Sequence, residues 1–393
     1  MAGSKNHHAG VVREVARVDR GTRTWGVVHR GMFTGGRVSA SVGVCGGAAR
    51  AWLCGVLVCL GLPWMVRGAE DRPAVASQAK PVPLIFDTDM GNDIDDALAL
   101  AMIHALSDLG EAKLLAVTVS KDETWSVPYI DVVNTFYGRP DVPIGAVRNG
   151  KTPEPSKFTE PVARARQGEE PLFPHDLRRG EDAPEAVGLL RRTLAAWPED
   201  GRIALVVVGF STNIARLLDS KPDDVSPLDG RALIAKKVGL LSIMAGAFGP
   251  DRKPEYNVVK DIPAAQRVYE LWPTPIVASG FEIGLAIKYP AGSIEKDYGY
   301  VEHHPIRMAY EAYLKMPYDR PCWDLTSVLY AVRPDAGYFG LSNAGRIRAD
   351  EEGITHFKEE SGGRDRYLTV TKEQIARVLR TCVELSSKPP RPR

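Results

Sequence analysis

The sequence predicts an α/β fold with an open, mostly parallel, Rossmann-like sheet and helices on both faces. From Pro81 onward, short apolar runs rich in β-branched residues alternate with stretches of helical length. This βαβ order favours a parallel sheet with right-handed crossovers. Past Pro334, the segments RIRAD and RYLTVT are separated by glycine-containing turns. They predict a small antiparallel element near the C-terminus.

The first half of this pattern contains three predicted strands. An apolar strand over residues 83–89 ends in aspartates and leads into a helix over 95–106. Aspartates at the start of that helix suit the positive end of its dipole. Further strands are predicted over 113–120 and 142–147. Residues 151–184, rich in Pro, Glu and Arg, are expected to form a long surface loop.

The second half begins with a buried strand over residues 202–209. A helix follows over 211–220, starting at a Ser/Thr cap. Strands are expected over 238–246 and 274–280, and a helix over 373–385 closes the chain.

The N-terminal part is typical of an export leader. We assign residues 1–69 to a leader with a signal peptide, whose apolar h-region is 51–66. That run is short for a membrane span, although an uncleaved anchor is the alternative. Residues 70–80 form a linker, 81–386 the domain, and 387–393 a disordered tail. The predicted location is periplasmic or extracellular, with no stable membrane partner after processing.

Composition narrows the function classes. Lysine plus arginine (50) nearly equals aspartate plus glutamate (49), so no charge bias points to nucleic acid. Outside the leader only Cys322 and Cys382 occur, with no spacing typical of a zinc site. They could form one disulfide or remain as buried or free thiols.

Five aspartates lie within ten residues. They are Asp87, Asp89, Asp93, Asp95 and Asp96. They gather where a predicted parallel strand ends and a helix begins, the edge at which open α/β sheets bind ligands. So many carboxylates repel each other unless a hard cation is present, and oxygen-only ligands favour calcium or magnesium. A solvated acidic cap is the alternative.

Two other acidic motifs share features with this stretch. In an EF-hand the glycine would come one place later than Gly91, and a glutamate would end the loop. A haloacid-dehalogenase-type phosphatase also begins with D-x-D after an apolar strand, and its first aspartate is the nucleophile. Such a phosphatase remains an alternative enzyme.

The string DTDMGNDIDDALAL resembles the D-x-D-x-G-x-D-D-A motif of the inosine/uridine-preferring nucleoside hydrolase family, with two residues inserted after Gly91. Three further segments resemble that family in the same order: LVVVGFSTNIA (205–215), IMAGAFGPDRKPEYN (243–257) and PCWDLTSVLYAV (321–332). The resemblance extends from Pro81 to about Pro334. It implies the nucleoside hydrolase fold.

The resemblance also implies a calcium site. Its protein ligands would be Asp89, Asp96, the backbone carbonyl of Val208, and Asp324, with water and two ribose hydroxyls completing the shell. Asp95 would take a proton from the calcium-bound water. Asp93, in the insertion, is interpreted as an acid behind the ligands or exposed in the loop.

Four residues are predicted to contact the sugar. Glu255 and Asn257 would bind the 5′-hydroxyl side, Met244 would pack near the ring, and Asp324 would act beside the ribose hydroxyls. At the position of the family's leaving-group histidine the chain has Trp323, which cannot protonate a purine but could stack on one.

The resemblance therefore implies calcium-dependent hydrolysis of the N-glycosidic bond of ribonucleosides or of a related ribosylated compound. The expected partners are a small riboside and, as an alternative to a monomer, further copies of the chain in a homo-oligomer. The alternative from a different class is an exported calcium- and riboside-binding module without turnover.

Overall fold

The computed structural model describes residues 80–391. The predicted leader and the linker up to residue 79 therefore lie outside the described residues. The strands are β1 (Val82–Thr88), β2 (Ala112–Lys121), β3 (Ile144–Lys151), β4 (Arg166–Gln167), β5 (Glu170–Pro171), β6 (Ile203–Val207), β7 (Val238–Met244), β8 (Ile276–Ser279), β9 (Lys288–Tyr289), β10 (Arg320–Pro321), β11 (Gly340–Leu341), β12 (Gly345–Ala349), β13 (Thr355–Glu359) and β14 (Asp365–Thr369).

The α-helices are α1 (Asp95–Asp108), α2 (Ser126–Phe136), α3 (Thr159–Ala163), α4 (Ala186–Ala196), α5 (Thr212–Asp219), α6 (Gly230–Lys237), α7 (Tyr256–Lys260), α8 (Ile262–Leu271), α9 (Phe281–Ala286), α10 (Ala291–Lys296), α11 (Pro305–Tyr313), α12 (Trp323–Val332) and α13 (Lys372–Ser386). A short 3-10 helix spans Gly180–Asp182.

One ten-stranded sheet organises the domain, in the order β13-β12-β14-β8-β7-β6-β1-β2-β3, with β11 paired to β14. The strands from β14 through β8, β7, β6, β1 and β2 to β3 pair in parallel. The pairs β12–β13, β12–β14 and β11–β14 are antiparallel. The predicted α/β fold with a mostly parallel sheet and a small C-terminal antiparallel element is confirmed.

Side chains of β1 alternate between two hydrophobic cores, as the period of a strand requires. Leu84 and Phe86 pack on the face covered by α1, α12 and α13. Ile85 packs on the opposite face, with α4, α5 and α8. Every residue of α1 from Asp95 to Leu106 is buried. A helix buried on all sides fits a sequence dominated by Ala and Leu.

Two local predictions need correction. The segment 151–184 is not only a loop, because it contains α3, the β4–β5 hairpin and the 3-10 helix. Ser211 occupies the N-cap of α5 but makes no side-chain cap hydrogen bond. Its backbone already has helical angles (φ −68°, ψ 0°), whereas a capping side chain requires an extended backbone at that residue.

Cys322 and Cys382 are both buried free thiols. Within residues 80–391, no helix is long and apolar enough to cross a bilayer. After α13 ends, the described residues of the predicted tail form neither helix nor strand.

Candidate functional site

The aspartate-rich segment forms the turn between β1 and α1, at the carboxyl edge of the parallel strands. Gly91 has φ +111°, a conformation that a residue with a side chain rarely adopts. A Cβ there would also come within 3.2 Å of both Ser156 and Thr159. Gly91 thus lets the chain turn tightly and bring the aspartates on both sides of it to one edge.

Three carboxylates form a cluster in which ligand oxygens of Asp93, Asp96 and Asp324 all lie within 4.8 Å of one another. Asp324 comes from the first turn of α12. One oxygen of Asp96 accepts a hydrogen bond from the Thr88 hydroxyl. The other, Oδ2, is buried, and no hydrogen-bond partner for it is found among residues 80–391. Because such an oxygen is costly to bury as an anion, this oxygen-only set fits a hard divalent cation.

Electrostatics support the same interpretation. Burial raises the pKa of Asp96 and of Asp324 well above the usual range, and repulsion from neighbouring aspartates raises both further. Burial raises the pKa of Asp89 to about 7, although a hydrogen bond from Asn92 lowers it in part. A cation would offset this repulsion and favour the ionised carboxylates.

Asp89 and the Val208 carbonyl are brought together by the adjoining ends of β1 and β6. At Gly209 a Cβ would lie 2.5 Å from the Asp89 nitrogen and 2.3 Å from Ser120 Oγ, so only glycine fits. The Val208 carbonyl accepts a hydrogen bond from Asn257 Nδ2 at 2.8 Å. A carbonyl oxygen has a second lone pair, so this bond leaves it able to bind a cation.

The predicted sugar-binding residues Glu255 and Asn257 form hydrogen bonds with the end of β7 and the loop that follows it. Glu255 caps α7 and accepts the backbone N–H groups of Gly246 (3.0 Å) and Asn257 (3.1 Å). Burial raises the pKa of Glu255 to about 6. Besides Val208, the Asn257 amide donates to the Met244 carbonyl (3.0 Å) and contacts the Met244 sulfur (3.2 Å). These contacts fix the ends of β6 and β7 relative to each other.

A cavity of about 230 Å³ opens over these groups. Its wall consists of Asp89, Asp93, Val208, Met244, Glu255, Tyr256, Asn257, Phe281, Arg320, Trp323 and Asp324. The structure thus brings most of the predicted site residues to one wall. Asp96 and Asp95 are fully buried and are not part of it.

Asp95 is engaged on both carboxylate oxygens. Oδ1 accepts from Arg320 Nε at 3.1 Å, and Oδ2 accepts the backbone N–H of Asp324 at 3.2 Å. Burial, followed by repulsion from Asp93, raises its pKa to about 7, and Arg320 opposes this rise. Asp95 is fully buried and does not line the cavity, and its role toward a water in the site stays a prediction.

The sequence did not single out Arg320. Its guanidinium also donates to Asp93 Oδ2 and lies 5.3 Å from the Tyr313 ring centroid and 4.8 Å from that of Trp323. Asp93, interpreted as an acid behind the ligands or exposed in the loop, lines the cavity, and 32% of its side chain is exposed. The sequence feature that could have identified Arg320 as a site residue is its position four residues before Asp324.

Trp323 forms an aromatic wall together with Phe281. Its Nε1 donates to the Phe281 carbonyl at 2.8 Å, and the two ring centroids are 5.3 Å apart. The ammonium group of Lys253 lies 3.5 Å from the Phe281 ring centroid. The indole N–H is therefore occupied, and each of the two rings has a cation near it, Lys253 at Phe281 and Arg320 at Trp323.

The phosphatase alternative does not fit the position of the first aspartate. Asp87 is fully buried and Oδ2 accepts hydrogen bonds from Thr118 (2.5 Å) and Asn213 (2.8 Å). It does not line the cavity. Asp87 joins β1 to β2 and α5, so it is not placed as a nucleophile.

Comparison with solved structures supports the fold. An inosine-uridine preferring nucleoside hydrolase from Bacillus anthracis superposes with a TM-score of 0.59 at 17% identity, covering 78% of this chain and 99% of that one. A purine-preferring ribonucleoside hydrolase from Gardnerella vaginalis gives 0.57 at 17% identity, covering 78% and 98%.

Sequence comparison gives curated relatives named pyrimidine-specific ribonucleoside hydrolase RihA. The Citrobacter koseri protein is 27% identical over 208 residues, or 51% of this chain and 61% of the relative. The protein from Salmonella schwarzengrund is 26% identical over 221 residues, or 55% and 65%. These alignments span less than two thirds of the relatives. The family profile described as "Inosine-uridine preferring nucleoside hydrolase" matches residues 84–388. With that match over most of its length, the chain belongs to the inosine-uridine preferring nucleoside hydrolase family.

Proposed function

We propose that the protein hydrolyses the N-glycosidic bond of ribonucleosides, or of a related ribosylated compound, to ribose and free base in a calcium-dependent reaction. The observation that carries this proposal is the unpartnered oxygen of Asp96 within the carboxylate cluster beside the cavity. The names of the curated relatives supply the substrate class.

The cation would be held by Asp89, Asp96, Asp324 and the Val208 carbonyl. Asp93 belongs to the same carboxylate cluster and would add a further negative charge. When bound, calcium supplies positive charge that lowers the pKa of a water molecule and binds sugar hydroxyls.

For the proton acceptor, the geometry favours Asp89 over Asp95. Asp89 lines the cavity, and one of its oxygens accepts from Asn92 Nδ2 at 2.8 Å. Both oxygens of Asp95 are engaged by Arg320 and by the Asp324 backbone. We therefore place Asp89 as the base and Asp95 as the residue that positions Asp324.

The remaining residues act on the sugar and the leaving group. Cleavage of an N-glycosidic bond passes through an oxocarbenium-like state, whose positive charge the surrounding carboxylates stabilise. Trp323 and Phe281 would stack on a flat base. Because the Trp323 N–H is already donated to the Phe281 carbonyl, Trp323 would bind the leaving group without protonating it.

A panel of purine and pyrimidine nucleosides, assayed for free ribose, tests this proposal. We expect ribose release with calcium, loss of release with EDTA, and recovery when calcium is restored in excess. Asp324→Asn should weaken calcium binding and turnover together, whereas Asp219→Asn, an exposed acid outside the cavity, should change neither. Calcium and nucleoside binding by calorimetry without any ribose release would favour the binding module.

We also propose that the chain is exported, on the basis of the apolar segment 51–66. N-terminal sequencing of the protein recovered from the periplasm or medium should find a start near residues 69–70. Recovery of the uncut chain in the membrane fraction would favour the uncleaved anchor.

A further inference from the structure

A second concave surface lies away from the cavity, between α6, α8, β12 and the residues that precede β14. It encloses about 680 Å³ and shares no lining residue with the catalytic cavity. Its charged residues are Arg231, Arg346, Arg348, Arg364, Glu270 and Glu360. We refer to this surface as the arginine cleft.

The cleft has more positive than negative charge. Four guanidinium groups face two carboxylates, both of which belong to exposed residues. Among residues 80–391, Arg231, Arg346 and Arg348 form no ion pair within 4 Å, and no hydrogen bond from their side chains is found. Guanidinium groups that outnumber the carboxylates in a concave surface concentrate a positive potential there.

Arg364 forms a fixed part of the cleft. Its Nε donates to Asp365 Oδ1 at 2.9 Å, and another guanidinium nitrogen donates to the Tyr269 carbonyl. The second Asp365 oxygen accepts the Ile347 N–H at 2.9 Å. Only 17% of the Arg364 side chain is exposed. This arginine is therefore pre-organised, so less conformational entropy is lost when a ligand binds.

The other arginines repel Arg364. Burial lowers the pKa of the Arg364 guanidinium, and the charges of Arg346 and Arg231 lower it further, against an opposing effect of Asp365. An anion between these three guanidinium groups would relieve that repulsion.

We propose that the arginine cleft binds a small, multiply charged oxyanion of the phosphate class, such as a diphosphate. Guanidinium groups bind phosphate oxygens through paired, charge-assisted hydrogen bonds. The aromatic residue in the lining, Tyr269, is only 2% exposed, so it offers no ring face for a nucleobase. The cleft therefore recognises the phosphate groups and not the base of a nucleotide.

Calorimetry on the full chain with pyrophosphate tests this proposal. EDTA in the buffer keeps metal-bridged pyrophosphate away from the carboxylate cluster, and sodium sulfate at matched ionic strength controls for general anion effects. Saturable binding that weakens with added salt is expected. A second titration uses ADP, which should bind with an affinity similar to that of pyrophosphate because its base is not recognised.

Arg231→Gln and Arg346→Gln are the informative variants, because both side chains lack ion-pair partners and their loss should leave the fold intact. Each should weaken pyrophosphate binding by roughly tenfold, the effect of losing one charge-assisted contact. Arg267→Gln, on α8 but paired with Asp219 outside the cleft, is the matched control and should bind as wild type does.

Absence of saturable binding in the wild type at low salt would overturn the proposal, as would undiminished binding by both variants. Tighter binding of ADP than of pyrophosphate would show that the base is recognised and would contradict the assigned ligand class. Ribose release should be unchanged in Arg346→Gln, so failure of the cleft proposal and failure of the proposed catalytic function can be told apart.

Discussion

Arg320 Nε lies 3.1 Å from Asp95 Oδ1, joining β10 to the start of α1 across 225 residues of chain. The Asp95 side chain is fully buried, and 12% of the Arg320 side chain is exposed. Because Asp95 also accepts the Asp324 N–H, this ion pair fixes the start of α12 as well. The geometry of the carboxylate cluster therefore depends on an arginine that does not belong to it.

Arg320→Gln should destabilise the protein by roughly 3–5 kcal/mol, the usual effect of leaving one partner of a buried ion pair without the other. Urea unfolding measures this change. The double variant Arg320→Gln/Asp95→Asn should lose less than the sum of the two single variants, because it leaves no unpaired charge on Asp95. The exposed pair Arg267–Asp219 is the control, and its loss should change stability by about 0–1 kcal/mol. If the changes in free energy of unfolding caused by Arg320→Gln and Asp95→Asn simply add in the double variant, the two residues do not interact energetically.

Asp89→Asn should reduce turnover by roughly 10²–10⁴-fold, the range typical of a lost general base, and should also weaken calcium binding because Asp89 is a proposed ligand. Its melting temperature in EDTA should change little. Asp95→Asn should instead lower the melting temperature. Any loss of turnover in this variant should be indirect, caused by displacement of Asp324. Ribose release and thermal unfolding, measured on both variants, separate these roles. If Asp95→Asn is well folded but inactive while Asp89→Asn retains turnover, Asp95 is the base, as the family resemblance implies, and the proposed role of Asp89 is wrong.

The stabilisation given by calcium should increase as pH rises from 5 to 8. Burial raises the pKa of Asp89 and Asp95 from 3.8 to about 7, so the folded protein binds more protons than the unfolded chain between those values. Without a cation, the stability contributed by these groups is present below pH 4 and is lost as pH rises through about 7. A cation competes with those protons, and its effect is largest where they have dissociated. Melting temperatures measured with calcium and with EDTA at each pH test this prediction. A difference between the two that is largest at pH 5 would contradict it.

Trp323→Ala should lower kcat/KM for nucleosides by about 10–100-fold, since stacking on a base contributes about 1–3 kcal/mol. Trp323→Phe, which keeps an aromatic face, should lose much less. Neither substitution removes a calcium ligand, so calcium affinity measured by calorimetry should remain unchanged in both. Equal losses in the two variants would indicate that the indole N–H contact with Phe281 is what matters.

The sequence predicts best those features that depend on neighbouring residues. Strand β1, predicted over 83–89, spans Val82–Thr88, and the helix predicted over 95–106 begins at Asp95 and extends to Asp108. Both follow from local apolar patterns. The position of Asp89 at the carboxyl edge of the sheet follows from the βαβ pattern, whereas the position of Asp324 beside the same cavity was implied by the family resemblance.

The directions of Asp93 and Asp95 could not be predicted in this way. Adjacent residues at a helix start point in different directions, but which of Asp95 and Asp96 faces the ligand depends on partners distant in sequence. Arg320, from the other end of the domain, pairs with both Asp93 and Asp95. No local pattern in the sequence links an arginine before α12 to a turn before α1.

The close approach at Gly209 bears on ion selectivity. Even a methyl group there would collide with the Asp89 backbone and force the ends of β1 and β6 apart. The close packing of the main chain at Asp89 against that at Gly209 is thus fixed by the absence of a side chain at Gly209. Calcium accepts ligands at about 2.3–2.6 Å in varied geometries, whereas magnesium requires about 2.0–2.1 Å in a regular octahedron. A main-chain spacing fixed in this way would make the proposed site contract less readily around magnesium, which supports our proposal of calcium as its ion.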